Sequence, residues 1–113
     1  MHELPVTENI LEVAIKHAEK AEASRITNIY LVIGQMASVI DDSVQFYWDI
    51  ISKGTIAENA RLHFNRIPTK FKCLNCENQF IYNGDDFQCP NCHSQQVKVI
   101  DGEQFFLEAI DVE

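Results

Sequence analysis

Cys73-Leu74-Asn75-Cys76 and Cys89-Pro90-Asn91-Cys92 are two cysteine pairs of identical spacing, and they decide how this 113-residue sequence is interpreted. Two residues between cysteines let a tight turn direct both sulfurs at one ion, and two such turns facing each other supply four thiolates in the tetrahedral arrangement that zinc favours. The 12 intervening residues suffice for a small hairpin that uses Phe80-Ile81-Tyr82 and Phe87. The spacing therefore predicts a structural zinc site formed by Cys73, Cys76, Cys89 and Cys92.

Two redox interpretations of the cysteines are weighed against zinc. A tetrathiolate cage also holds iron, as in a small rubredoxin-like electron carrier, and the red colour of ferric protein would reveal it. A thioredoxin-like centre needs one cysteine pair at the start of a helix within a βαβ pattern, which this sequence lacks. A closed four-thiolate zinc site leaves no position for water. Its expected role is in folding, because residues 69–98 contain few aliphatic side chains.

The sequence on either side of the cysteines alternates between helical and strand patterns. Apolar residues recur at helical spacing in two segments and alternate in three others. Asp42, followed three residues later by Gln45, has the pattern of a capping box at the start of the second helix. The predicted elements are a helix over Val6–Glu22, a strand over Arg25–Gly34, a helix from Asp42 to Gly54, and strands over Ala60–Ile67 and Gln104–Val112.

This order predicts an α+β fold, with two helices packed on a small sheet of about three strands and an inserted zinc-ribbon-like module. The cysteine module interrupts the sequence between two predicted strands of one domain. We therefore expect one domain formed by residues 1–68 and 99–113, and a zinc-binding module formed by residues 69–98.

Composition and charge limit the classes of function. Nine Lys and Arg against 17 Asp and Glu give a net charge of −8, and residues 70–98 carry no basic stripe, so binding to nucleic acid is disfavoured. The longest apolar run, Ile29–Gly34, is too short to span a membrane, and the first residues lack the features of a signal peptide. A cytoplasmic protein is expected. No nucleophile–base pair, phosphate-binding loop or catalytic carboxylate pair is recognisable, so an enzyme is not predicted.

The first three residues, Met1-His2-Glu3, form the second candidate metal site. The α-amine of Met1, the amide nitrogen of His2 and the His2 imidazole can close fused chelate rings, with the Glu3 amide as a fourth donor in the plane. Planar nitrogen donors favour Ni(II) or Cu(II). Taken alone, a histidine this close to a terminus is more often simply solvated.

The remaining histidines and Trp48 have structural explanations. His17 lies on the predicted buried stripe of the first helix, and Trp48 is expected in the core. His63 is opposite in phase to its apolar neighbours in the second strand and is expected to be solvated. His93 follows Cys92 directly, and whether it joins the zinc site is left open.

Taken together, these features resemble the hydrogenase nickel-insertion family of HypA and its paralogue HybF. The resemblance runs through the whole sequence in the family's order. It rests on Met1-His2-Glu3-Leu4, Arg25-Ile26-Thr27 before a strand ending at Ile33-Gly34, Lys53-Gly54-Thr55 and the two late cysteine pairs.

The resemblance implies a nickel metallochaperone for NiFe-hydrogenase maturation. In such a protein His2 binds nickel as transient cargo, with Glu3 close by, and the cysteine module holds structural zinc. The implied partners are the maturation GTPase HypB and the hydrogenase large-subunit precursor, and a homodimer is left open. Some members carry a histidine after each cysteine pair, whereas here Glu77 follows Cys76, so a two-histidine switch is not expected. The alternative is a zinc-ribbon protein-interaction module without a metal-delivery role.

Overall fold

The residues that the structure describes form two helices and six strands, and the strands make two three-stranded sheets. The structure is a computed structural model, and it describes residues 3–82, 84 and 87–113. The α+β class predicted from the sequence is confirmed. The elements, in chain order, are α1 (Glu3–Lys20), β1 (Ile26–Gly34), α2 (Asp41–Ile51), β2 (Arg61–Ile67), β3 (Lys70–Cys73), β4 (Gln79–Ile81), β5 (Val97–Asp101) and β6 (Phe105–Val112).

The described residues form two compact units. One contains the residues up to 32 together with 38–65 and 105–113, and the other contains 33–37 and 66–104. The first sheet has the strand order β2-β1-β6, and the second has the order β4-β3-β5. None of the helices in the described part of the chain is long and apolar enough to cross a membrane.

The first unit has its core where α1 and α2 pack together and against the first sheet. Helix α1 begins at Glu3, earlier than predicted, because Pro5 lies in the first turn, where its missing N–H costs no helical hydrogen bond. Strand β1 is central and mostly buried. Trp48 is in the core as expected, at 1% exposure. The other buried residues of this core are Ile10, Ala14, Ala18, Ile26, Ile29, Leu31, Val39, Val44, Ala57, Ala60 and Leu62.

The second unit is organised around strand β3. Strand β4 pairs antiparallel with one edge of β3, and β5 pairs antiparallel with the other edge. A hairpin forms between β3 and β4, on the two sides of the first cysteine pair, because the turn through that pair reverses the chain within a few residues. The hairpin predicted between the two cysteine pairs lies partly outside the described residues, since Asn83, Asp85 and Asp86 are not among them.

An aromatic cluster surrounds Phe71 in this second unit. Phe71 is 3% exposed, and its ring contacts those of Phe80, Tyr82 and Phe87 at centroid distances of 5.7, 5.6 and 5.4 Å. The rings of Tyr82 and Phe87 also stack at 5.2 Å. The scarcity of aliphatic residues in this segment is thus partly offset by aromatic burial.

Candidate metal centre

The first cysteine pair lies in a tight turn that continues directly from β3. The backbone N–H of Cys73 donates to the carbonyl of Asn78 at 2.8 Å, and the N–H of Glu77 donates back to the carbonyl of Cys73 at 3.0 Å. Glu77 closes the turn with a left-handed φ of 64°. The amides of Asn75 and Cys76 point at the Cys73 sulfur, at 3.4 and 3.5 Å. This turn directs both of its sulfurs to one side.

The second cysteine pair repeats this geometry. The N–H of Cys89 donates to the carbonyl of Ser94 at 2.9 Å, and the N–H of His93 donates to the carbonyl of Cys89 at 2.8 Å. His93 has a φ of 65°, matching Glu77, and the N–H of Asn91 donates to the Cys89 sulfur at 3.4 Å. The identical spacing noted in the sequence therefore produces two equivalent turns.

The two turns bring all four predicted cysteines together. Their sulfurs lie within 4.8 Å of one another, with Cys73 Sγ 3.5 Å from Cys92 Sγ and Cys76 Sγ 3.7 Å from Cys89 Sγ. A tetrahedral zinc ion with Zn–S bonds near ~2.3 Å requires sulfurs about 3.8 Å apart. Cys73 and Cys89 are buried, whereas Cys76 and Cys92 are exposed. The donor set and its spacing fit a metal ion such as zinc.

Hydrogen bonds and burial shift the pKa values of three of the four thiols in different directions. The Cys76 backbone N–H is the main cause that lowers the pKa of the Cys73 thiol. Burial acts to raise the pKa of Cys89, but the N–H groups of Cys92 and Asn91 outweigh it and the pKa falls to about 6. The Ser94 N–H acts to lower the pKa of Cys92, yet the neighbouring sulfurs raise it to about 12. A dication bound among them would favour the thiolate form of its ligands.

The other candidate site lies mostly outside the described residues, since Met1 and His2 are not among them. Glu3, the first residue of α1, is 9% exposed. Its Oε2 accepts the backbone N–H of Ile40 at 3.3 Å, and its carbonyl accepts the Thr7 hydroxyl at 2.5 Å. Glu3 is therefore anchored beside the first turn of α2.

The same region corrects the predicted capping box. Ile40, not Asp42, is the N-cap residue of α2, and no side-chain cap is formed there. Because the helix already begins at Asp41, Asp42 lies inside its first turn, and the Gln45 amide instead donates to Asp49 Oδ1 at 2.9 Å.

Two histidine predictions are wrong. His17 is exposed rather than buried, because α1 buries Ala14 and Ala18 and His17 lies beside that stripe. His63 is half-buried rather than solvated: its ring stacks on Tyr30 at 4.7 Å. His93 is exposed and lies outside the four-sulfur cluster found among the described residues.

A polar cluster that the sequence analysis did not identify surrounds His63. Asn28 Oδ1 accepts a hydrogen bond from His63 Nε2 at 2.8 Å. Asp111 Oδ2 accepts hydrogen bonds from the Tyr30 hydroxyl at 2.6 Å and from the Asn28 amide at 3.1 Å. The cluster joins β1, β2 and β6, so only the strand order could have revealed it.

Comparison with known proteins gives a consistent result. The sequence matches the family model described as HypA, hydrogenase/urease nickel incorporation, metallochaperone, over residues 1–112. A hydrogenase maturation factor HypA of Dehalococcoides mccartyi (strain CBDB1) is 42% identical over 113 residues, covering 100% of this chain and 95% of the relative. The hydrogenase maturation factor HybF of Escherichia coli (strain K12) is 31% identical and covers 100% of both chains.

Solved structures show the same fold. The solution structure of the Ni metallochaperone HypA from Helicobacter pylori aligns with a TM-score of 0.70 at 22% identity, covering 99% of this chain and 97% of that one. A second solution structure, of a HypA protein, aligns with a TM-score of 0.76, also at 22% identity, covering 100% and 97%.

Proposed function

Since the chain belongs to the HypA family of hydrogenase/urease nickel-incorporation metallochaperones, we propose that it binds Ni(II) at its N-terminus and delivers it during NiFe-hydrogenase maturation. The family match over residues 1–112 is the observation that carries this proposal. The proposed nickel ligands are His2 and the Met1 amine, with Glu3 adjacent. The cytoplasm is the proposed location, and the GTPase HypB and the hydrogenase large-subunit precursor are the proposed partners.

The position of Glu3 supports a nickel site at this end of the chain. His2 is joined by one peptide bond to a residue whose side chain and carbonyl are both hydrogen-bonded. The acidic first turn of α2, with Asp41 and Asp42, follows directly after the Ile40 amide that Glu3 binds. A site built from the first residues would therefore begin at a fixed point close to negative charge, which favours a dication.

The second part of the proposal is a structural role for the four cysteines. Zinc bound by Cys73, Cys76, Cys89 and Cys92 would join the two turns. The first turn connects β3 to β4, and the second turn precedes β5, the other neighbour of β3. The domain assignment follows: residues 69–98 bind zinc, and residues 1–68 with 99–113 carry nickel.

A nickel titration by calorimetry on protein with its native start tests the delivery role. Extension of the N-terminus converts the Met1 amine to an amide, and His2→Ala removes the imidazole, so both changes should lower nickel affinity sharply. His17→Ala is the matched control, because His17 is an exposed histidine on α1. It should leave nickel affinity unchanged, and zinc content should be equal in all four proteins.

The outcomes separate the alternatives. Equal affinity in all variants would place nickel elsewhere in the protein, and loss only in His2→Ala would exclude the amine as a ligand. Absence of nickel binding with one tightly held zinc per chain would favour a zinc-ribbon interaction module. Transfer of nickel from the loaded protein to purified HypB, followed with a chromophoric chelator, tests the proposed partner.

A further inference from the structure

Two asparagine side chains reach across the cysteine cluster, each from one turn to a sulfur of the other. The Asn78 amide nitrogen follows the first cysteine pair and lies 3.8 Å from Cys89 Sγ. The Asn91 amide nitrogen belongs to the second pair and lies 3.5 Å from Cys76 Sγ. We propose that these two amides are positioning groups that slow the loss of zinc from the four-cysteine site; this inference rests on the proposed zinc site.

The chemistry of the amide fixes its orientation in these contacts. A metal-bound thiolate accepts hydrogen bonds and donates none, so only the NH₂ end of an asparagine is attracted to it. The two amides, one from each turn, each provide a donor to a sulfur of the other turn.

These donors act on the charge of the site. Four thiolates around one dication carry a formal charge of −2, most of it on sulfur. An N–H donor withdraws part of this charge, which makes the sulfur a weaker nucleophile towards competing acids and electrophiles. Groups that hydrogen-bond to metal ligands typically change metal affinity by about 10–100-fold. Cys76 is exposed, so the Asn91 amide also covers one side of a ligand that solvent reaches.

The two turns provide an internal control at Asn75. Asn75 occupies the same position in the first cysteine pair that Asn91 occupies in the second, and both residues are exposed. The Asn75 amide also crosses to the other turn, but it donates to the Ser94 hydroxyl at 2.5 Å instead of to a sulfur. In both positions the backbone N–H that points at sulfur survives substitution by alanine. Asn75→Ala therefore removes a crossing hydrogen bond without removing a sulfur contact.

The experiment measures zinc release from the full chain to excess chromophoric chelator. Asn91→Ala and Asn78→Ala should each release zinc about tenfold faster than the wild type, whereas Asn75→Ala should stay within about twofold. The absorption spectrum of cobalt-substituted protein distinguishes a lost hydrogen bond to sulfur from a general loss of stability in the module. Loss of a donor to sulfur raises the energy of its lone pairs, so the thiolate-to-cobalt absorption band should move to longer wavelength in the first two variants only.

Each result has a definite meaning. If Asn75→Ala and Asn91→Ala accelerated zinc release equally and neither shifted the cobalt band, the inference would be overturned. The effect would then belong to any hydrogen bond between the two turns, not to a donor at sulfur. Wild-type release rates in Asn91→Ala would overturn it as well, and this exposed position keeps the test valid if Asn78→Ala does not fold. Failure of the reduced wild type to hold zinc would instead refute the proposed zinc site.

Discussion

The side-chain carboxylate of Glu3 accepts the backbone N–H of Ile40 at 3.3 Å, across 37 residues of sequence. Ile40 is the N-cap residue of α2, and in a capping box its N–H would be bound by a glutamate three residues later in the same helix. Here Glu3, the first residue of α1, accepts the hydrogen bond from that N–H instead. The starts of the two helices are thus joined through the residue next to His2.

Glu3 is therefore predicted to stabilise the fold independently of nickel. Glu3→Ala leaves the Ile40 N–H without its acceptor and should lower the free energy of unfolding by about 1 kcal/mol, measured by urea denaturation without nickel. Glu3→Gln retains a carbonyl oxygen in the same place and should be close to the wild type. Glu8→Ala, at an exposed position of α1, is the control. Equal stability of Glu3→Ala and Glu8→Ala would show that the hydrogen bond contributes nothing.

The same glutamine variant separates structure from charge at the proposed nickel site. Glu3→Gln removes the negative charge while retaining the acceptor for Ile40, so nickel affinity should fall while the unfolding midpoint stays unchanged. Calorimetric titration beside the denaturation curve makes this comparison. Unchanged nickel affinity would show that the charge of Glu3 does not contribute to nickel binding, and that Glu3 acts only through its hydrogen bond to Ile40.

Removal of one cysteine should disorder the second unit and leave the first unit folded. Cys73→Ala or Cys92→Ala should lower zinc content and broaden the NMR signals of residues 70–98, because three thiolates cannot close the tetrahedral site. The signals of α1 should persist, because its buried residues belong to the core of the other unit. Phe71 and its aromatic neighbours should retain only loose contacts. Full zinc occupancy in either variant would contradict a four-thiolate site.

Local pattern was sufficient for the helices and for the strands of the first sheet, but not for β3 and β5 or for the contacts between elements. The helices, the first three-stranded sheet and the four clustered cysteines follow from spacing, and the predicted family is confirmed. The capping box predicted at Asp42 was wrong because α2 already begins at Asp41. The acceptor of the Ile40 N–H is Glu3, which lies far from α2 in sequence. The prediction that His63 is solvated was wrong because its partners Asn28 and Tyr30 lie on a neighbouring strand. The crossed asparagines depend in the same way on two turns that face each other, which spacing alone does not specify.

Gly34 is predicted to tolerate no side chain. A Cβ at this position would overlap the carbonyl oxygen of Gly102, which also accepts the N–H of Met36 at 2.8 Å. The atoms in the way are backbone atoms of Gly102 and Glu103, which cannot rotate away as a side chain could. Gly34→Ala should therefore lower the free energy of unfolding by several kcal/mol, roughly the scale of severe overpacking. Gly54→Ala is the control, since its Cβ meets nothing within 4 Å. Its φ of 80° should cost only about 1 kcal/mol. Similar unfolding midpoints for the two variants would refute the close approach.

Tyr30 is predicted to lose its proton only at unusually high pH. The hydrogen bond from its hydroxyl to Asp111 is the main cause that raises the pKa of Tyr30 above its ordinary value, and partial desolvation and the charge of Asp111 add to it. The folded protein thus holds this proton more tightly than the unfolded chain. The resulting stabilisation is fully present below the ordinary tyrosine pKa of about 10 and is lost as pH rises through the raised value.

Substitution of the carboxylate tests this pH dependence. Asp111→Asn removes the negative charge, so the pKa of Tyr30 should fall towards its ordinary value, and the loss of stability at alkaline pH should begin earlier. NMR of protein labelled at the tyrosine Cζ atoms follows Tyr30, Tyr47 and Tyr82 as separate signals between about pH 8 and pH 12. A Tyr30 titration that is identical with and without Asp111 would show that the 2.6 Å contact does not hold the proton in solution.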